Sequence, residues 1–228
     1  IKNLSIQFNQ DGVLSNAVIN NSFDVAAGEL VAIVGESGSG KSVTALSVLQ
    51  LLPKQAVING EILFGQDEPV DLLKLSHKKI NSIRGNKIAM IFQEPMTSLN
   101  PVFTCGYQVM EAIQLHQKVN KETARQKTIE LFEKVKLPEP ANLLSRYPHE
   151  LSGGQKQRVM IAMAMSCNPT ILIADEPTTA LDVTVQKTIL ELIKSLQAQN
   201  NMGVIFITHD LGVVADIADK ILVMRKGE

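Results

Sequence analysis

The sequence predicts an α/β fold: a mostly parallel sheet as its core, a β-rich opening that adds an antiparallel layer, and a helical insertion in the middle. Three observations carry this. The last third of the chain alternates helix and strand without a break, the apolar run Leu30–Val34 passes through a glycine-rich loop into a helix, and residues 104–135 keep helical periodicity throughout. Strands and helices in strict alternation imply parallel neighbours joined by right-handed crossovers.

The elements follow in order. Residues 4–8 alternate apolar and polar side chains and read as a strand, 17–25 as a second, and the Gly28-Glu29 turn delivers the buried strand Leu30–Val34. A helix over 43–52 and a strand over 58–64 come next. Leu72, Leu75, Ile80 and Ile83, with basic residues between them, suit a short exposed helix over 72–84. Residues 88–92 read as a strand ending at Gln93. After the helical stretch 104–135, Pro138, Pro140 and Pro148 punctuate a loop before a helix that begins near Gly153. The remainder is helix 153–167, strand 171–175, helix 183–200, strand 203–208, helix 211–218 and strand 220–224.

Composition bounds the rest. At 228 residues and 45% apolar content the chain can bury a sizeable core, as one large domain or two small ones. No stretch approaches the roughly 18 consecutive apolar residues of a membrane helix, and Ile1-Lys2-Asn3-Leu4 lacks the plan of a signal peptide, so a membrane role would come through a partner. A net charge of −1 with interspersed signs gives no nucleic-acid surface. Cys105 and Cys167 have neither metal-ligand spacing nor a disulfide framework and read as reduced, packed thiols of a cytosolic protein. The opening without Met and the turn-like Arg225-Lys226-Gly227-Glu228 read as the bounds of an excised domain.

The residues Gly35-Glu36-Ser37-Gly38-Ser39-Gly40-Lys41-Ser42 match the G-x-x-x-x-G-K-[ST] phosphate loop in full, between strand and helix as the motif requires. The glycines allow successive N–H groups to point inward at a β-phosphate, helped by the helix N-terminus. Lys41 would bridge the β- and γ-phosphates of a nucleoside triphosphate. The Ser42 hydroxyl is a hard oxygen ligand for Mg²⁺.

Leu172-Ile173-Ala174-Asp175-Glu176 is an apolar strand ending in two carboxylates. Side chains alternate along a strand, so the two acids point different ways. Asp175 can hold Mg²⁺ through water while Glu176 polarises the attacking water or takes its proton. Two such acids are often turn caps; far downstream of a complete phosphate loop they are strong evidence of a hydrolytic site. His209 and Gln93 each end an apolar strand at the edge where ligands of open α/β sheets bind. His209 alone would as readily be structural, and Gln93 could reach Mg²⁺ or the water.

Leu151-Ser152-Gly153-Gly154-Gln155 opens a second anion-binding helix N-terminus. With that string the chain resembles the nucleotide-binding domain of ATP-binding-cassette transporters, a P-loop NTPase fold, over essentially its whole length. The resemblance implies a single ATPase domain over 1–228, with the core and β subdomain in 1–92 and 168–228 and a helical subdomain over about 93–167. Gln93 is then the Q-loop glutamine, Thr179-Ala180-Leu181-Asp182 the D-loop and His209 the switch histidine. Two such domains dimerise head to tail, so Ser152, Gly153, Gly154 and Gln155 act on ATP bound to the other one. Phe8 stands where the family places an aromatic that stacks on adenine, although a Phe at a strand end is otherwise a core residue.

Finer strings are similar to those of oligopeptide, dipeptide and nickel importer ATPases: Glu94-Pro95-Met96-Thr97-Ser98-Leu99-Asn100-Pro101, Tyr147-Pro148-His149-Glu150, and Ile173 through Asp182. This implies ATP hydrolysis with Mg²⁺, transmembrane permease partners and, indirectly, an extracytoplasmic substrate-binding protein. The expected place is the cytoplasmic face of the inner membrane. Fused double-cassette importers share the strings, so an excised half of one also fits. Lys156 departs from the usual residue, as a surface change. Importers of the group often continue into a further segment, sometimes with cluster-binding cysteines, and this sequence stops before one. A soluble superfamily member acting on DNA or ribosomes stays an alternative, but the coiled-coil insertions or basic arms of such proteins are not visible. A cassette that binds ATP without hydrolysing it fits poorly, because Glu176 and His209 are both present.

Overall fold

The opening strands form a layer that lies against the phosphate loop. β1 (Lys2–Gln10) pairs antiparallel with β2 (Val13–Asn21) on one edge and with β4 (Ala56–Glu61) on the other. The computed structural model describes residues 1–10, 13–93, 98–179 and 181–228. Between β2 and β4 the chain passes through β3 (Leu30–Val34), the phosphate loop and α1 (Lys41–Val48), and after β4 a short hairpin joins β5 (Leu63–Phe64) to β6 (Val70–Asp71). α2 (His77–Ile83) then leads to β7 (Ile88–Ile91).

The helical insertion holds α3 (Cys105–Gln117), α4 (Lys121–Lys134), α5 (Pro140–Leu143) and α6 (Gly153–Ala164). β8 (Ile171–Asp175), α7 (Val183–Asn200), β9 (Gly203–Thr208), α8 (Leu211–Ala215) and β10 (Lys220–Val223) complete the chain. The core sheet has five strands in the order β10-β3-β9-β8-β7, every adjacent pair parallel, as the alternation of the last third requires.

The central strands of this sheet, β3, β8 and β9, are apolar over most of their length and buried on both faces, and their period of two sorts side chains between two cores, while the edge strand β10 is partly exposed. Ala89, Ile91, Leu172, Ala174, Val204 and Phe206 point to the cluster shared with the helical insertion and α7. Ile88, Ile173, Ile205 and Ile207 point to the cluster built with β1, α1 and α2. Phe132 of α4, with no exposed surface, fills the centre of the helical part among Val109, Ile113 and Val159. Phe132→Ala is expected to cost about 3–5 kcal/mol of stability through the cavity it leaves. A lowered urea midpoint with an unchanged m-value checks it.

Several elements differ from the sequence expectation: the strand expected over 17–25 lies at Val13–Asn21, the helix expected over 211–218 ends at Ala215, and three further differences have a visible local reason. The helix expected over 72–84 is a 3₁₀ turn, Leu72–Lys74, followed by α2, because the Asp71 carboxylate accepts from Leu73 N–H and Leu75 is extended. The strand expected over 58–64 breaks at Ile62, whose N–H is drawn to the same carboxylate at 3.3 Å. The stretch 104–135 is two helices: Lys118 turns left-handed at φ 52° and Asn120 caps a fresh start by accepting from Thr123 N–H.

Lys156 is a correction. Expected at the surface, it is buried at 8% exposure. α6 packs on α3, α4, β7 and α7 together, which leaves little of its circumference for water, and a lysine can lay its aliphatic stem in such an interface. Cys105 and Cys167 are free thiols, Cys105 buried with its thiol pushed up to about 11 by burial, consistent with a packing role.

Candidate functional site

β3 ends beneath the loop, and two close approaches explain the loop's glycines. A Cβ on Gly35 would lie 2.1 Å from the Met224 carbonyl oxygen, and one on Gly40, at φ 103°, would lie 2.4 Å from that of Ala17. Only glycine fits either place. Gly40 also serves as the N-cap of α1, so the helix starts at Lys41, two residues before its expected start, with its first N–H groups directed at the loop.

Lys41 is 5% exposed, and its Nζ donates to the carbonyls of Gly35 at 2.8 Å and Glu36 at 2.9 Å. The ammonium is thus curled over the loop that would hold phosphate. The next residue reaches across the sheet: Ser42 Oγ donates to Asp175 Oδ1 at 3.0 Å. Burial, with the nearby charge of Glu176, raises the Asp175 pKa, while Ser42 and Lys41 oppose the rise. A cation beside it would favour the charged carboxylate.

The donor set fits a magnesium nucleotide. Hydroxyl and carboxylate oxygens are the hard ligands this ion prefers. Ser39 Oγ, buried inside the loop, has no hydrogen-bond partner, a polar group still to be satisfied. Ser42 and Asp175 would hold the ion, and the loop N–H groups and Lys41 the phosphates.

Glu176 leaves the strand abruptly. It stands at φ 46°, in the left-handed region, so its side chain departs from that of Asp175 by a backbone turn as well as by strand alternation. Its carboxylate gathers three groups. Thr179 Oγ1 donates to Oε2 at 2.8 Å, Gln93 Nε2 donates to the same oxygen at 3.2 Å, and His209 Nδ1 lies 3.3 Å from Oε1. The histidine side chain is 61% exposed and the carboxylate side chain 13%. Lys41, Ser42, Gln93, Asp175, Glu176 and His209, expected at one edge of the sheet, are all brought there by the ends of β3, β7, β8 and β9. The cluster couples a cation cradle to a carboxylate that can accept a proton.

The signature residues keep separate company. Ser152 caps α6 by accepting from Gln155 N–H at 3.3 Å, while Gln155 Oε1 accepts from Ser152 N–H at 3.0 Å, a reciprocal box that leaves the serine's own hydroxyl hydrogen to be donated elsewhere. A Cβ on Gly154 would lie 2.8 Å from Val185 Cγ1, so this glycine lets α6 approach α7 closely. Asp182 caps α7 by accepting from Val185 N–H at 3.0 Å. Phe8 pairs across β1 with Ser15 and Ala56 and packs partly buried on the second core cluster. Glu94, Pro95, Met96, Thr97 and Ala180 of the quoted strings lie outside the described residues.

Two contributors escaped the sequence reading. Thr179 has no individual role in the sequence expectation, although a hydroxyl residue three places after a carboxylate in a Pro-containing turn is a usable signal. The C-terminal turn also props the phosphate loop, through the Met224 carbonyl against Gly35 and through Gly227 N–H, which donates to Ser39 C=O at 3.1 Å. A groove of about 290 Å³ between the sheet and the helical insertion is lined by Leu51, Met90, Phe92, Ala112, His116 and Met163 among others.

Comparison with known proteins agrees with this geometry. Residues 18–179 match the model of the family described as ABC transporter. The glutathione import ATP-binding protein GsiA is 53% identical in Pectobacterium atrosepticum, 54% in Escherichia coli K12 and 55% in Salmonella choleraesuis, over 232 aligned positions. Each alignment covers 100% of this chain and 37% of the relative, so the chain spans little more than a third of those proteins. Among solved structures, the dimeric post-hydrolysis state of the ATP-binding cassette MJ0796 bound to ADP and Pi superposes with a TM-score of 0.84 at 30% identity, covering 100% of this chain and 94% of that one. CbiO1 of Clostridium perfringens, part of the transporter complex cbiONQ, gives 0.76 at 26% identity over 99% of this chain and 86% of its own.

Proposed function

Because the chain belongs to the ABC transporter family, we propose that it binds and hydrolyses ATP to power the import of small peptides, glutathione among them, across the cytoplasmic membrane. The observation that carries the reading is the cluster in which Ser42 meets Asp175 while Gln93, Thr179 and His209 converge on Glu176. Import of a peptide-like cargo is supported by the relatives, which are glutathione import proteins. Their names also speak against a soluble ATPase acting on nucleic acid.

Mg²⁺, which Ser42 and Asp175 would hold, would supply positive charge to offset that of the phosphate oxygens. The protein's own groups do the rest. Lys41 exchanges its two carbonyl partners for phosphate oxygens, and the loop N–H groups hold the β-phosphate. Glu176 accepts the proton of the attacking water, Gln93 orients that water, and His209 donates to the γ-phosphate. Phe8 is the residue for adenine stacking.

Two cassettes work head to tail, the partner's Ser152, Gly153 and Gly154 closing over each ATP, with the serine hydroxyl hydrogen spare for phosphate. Dimeric neighbours among solved cassettes support this arrangement. Among the described residues no helix is long and apolar enough to cross a membrane. Likeness to import ATP-binding proteins supports a place at the cytoplasmic face on permease subunits, which in this reading dock in the groove lined by Leu51, Met90 and Phe92 and receive cargo from an extracytoplasmic binding protein.

The test is phosphate release by the purified protein with ATP, with Mg²⁺ and after chelation. Turnover that needs Mg²⁺ supports the reading. ATP binding without turnover, even with permease subunits added, would overturn it.

A further inference from the structure

We propose that Thr179 is a positioning residue for ATP hydrolysis, its hydroxyl fixing the Glu176 carboxylate in the orientation from which it takes a proton from water; this rests on the role given to Glu176 above. In that step the water oxygen bonds to the γ-phosphorus as the bond from phosphorus to the bridging oxygen breaks. That electron pair leaves with ADP, and the proton goes to Glu176.

Three side chains touch this carboxylate, and they differ in how they are held. Gln93 comes from the end of β7 and is exposed, and His209 comes from the end of β9 with its side chain 61% exposed. Among the described contacts each meets Glu176 through its side chain alone. Thr179 cannot leave so easily, because its N–H also donates to the Glu176 carbonyl at 3.2 Å, so main chain and side chain close one turn on the same residue. Its hydroxyl makes the shortest of the three contacts, 2.8 Å to Oε2.

The far side of the turn is anchored as well. Gln186 Nε2 of α7 donates to the carbonyls of Thr178 at 3.3 Å and Leu181 at 3.0 Å, and Leu181 packs on the main core cluster. Glu176 itself stands in the left-handed region, where its backbone needs a local partner to hold it. A hydroxyl donating to an ionised oxygen is directional and strong. With Thr179 and Gln93 both on Oε2, the other oxygen, Oε1, faces His209 Nδ1 at 3.3 Å.

The experiment compares Thr179→Val, nearly isosteric and still β-branched, with Thr179→Ala and Thr179→Ser, each alone and in a Glu176→Gln background. Loss of one hydrogen bond to a charged group should lower kcat about tenfold in the Val and Ala variants, with KM for ATP within about twofold. Thr179→Ser should return kcat to within about twofold of wild type. In the Glu176→Gln background, Thr179→Val should change residual turnover and ATP-driven dimerisation by less than about twofold, since the two side chains act as one unit.

Undiminished turnover in Thr179→Val and Thr179→Ala, failure of Ser to rescue, or a tenfold loss that persists in the Gln background would overturn the proposal. A weakened dimer in that background would do the same, by making Thr179 a contact to the partner. If Glu176→Gln alone kept full turnover, the role of Glu176 would fall first and this proposal with it, an outcome separate from the others.

Discussion

Glu176→Gln is expected to lower steady-state ATP turnover by a hundredfold or more, within the range of about 10²–10⁴ that a positioned general base contributes, while ATP affinity changes little. The geometry explains why the two effects separate. Glu176 touches neither the phosphate loop nor Ser42 in the described contacts; its partners are Thr179, Gln93 and His209. A glutamine of the same shape can keep all three. Its amide oxygen accepts from Thr179 and Gln93, and its nitrogen faces His209 Nδ1, to which it can donate whenever that nitrogen is unprotonated. What disappears is the ability to take a proton. ATP would then hold two cassettes together without being consumed, and the variant should run as a dimer on size-exclusion chromatography with ATP and as a smaller species without it. Turnover within twofold of wild type would remove Glu176 from the chemistry.

How far the sequence reaches is visible in particular elements. α7 occupies Val183–Asn200 as expected, because Asp182 caps its start and left-handed Asn201 stops it, both local signals. β8 and β9 also match, being apolar runs long enough for strands and buried on both faces. The break at Lys118 was masked because helical periodicity runs through it, although Asn120 is a cap signal of the same kind as Asp182. Lys156 shows the same limit at one residue, where packing on four neighbouring elements overrides the ordinary preference of lysine for water.

In the site, the residues proposed to bind phosphate, hold metal or take a proton were legible, because such chemistry needs particular side chains at particular places. The wiring between them was not. The Met224 carbonyl that makes Gly35 obligatory is a main-chain atom at the far end of the chain, and no side-chain pattern announces it. The signature residues were legible only through resemblance, since within one chain they contact α7 rather than the phosphate loop. That separation is what a site shared between two copies requires.

Lys41→Ala is expected to weaken ATP binding itself, by about a hundredfold or more, as loss of charge-assisted contacts to phosphate implies. The ammonium is almost fully buried over the loop, and its two carbonyl partners belong to the residues that begin the phosphate cradle. Removing it deletes the side-chain cation that curls over the loop and leaves the Gly35 and Glu36 carbonyls facing any anion that enters. Repulsion thus adds to lost attraction. Lys41→Arg should fare little better, because a planar guanidinium does not fit the slot of a compact ammonium. Binding of a fluorescent ATP analogue, read beside the melting temperature, separates this effect from unfolding. A folded Lys41→Ala protein that bound ATP as tightly as wild type would mean that the glycine loop is not the phosphate site, and the roles assigned to Ser42 and Asp175 would fall with it.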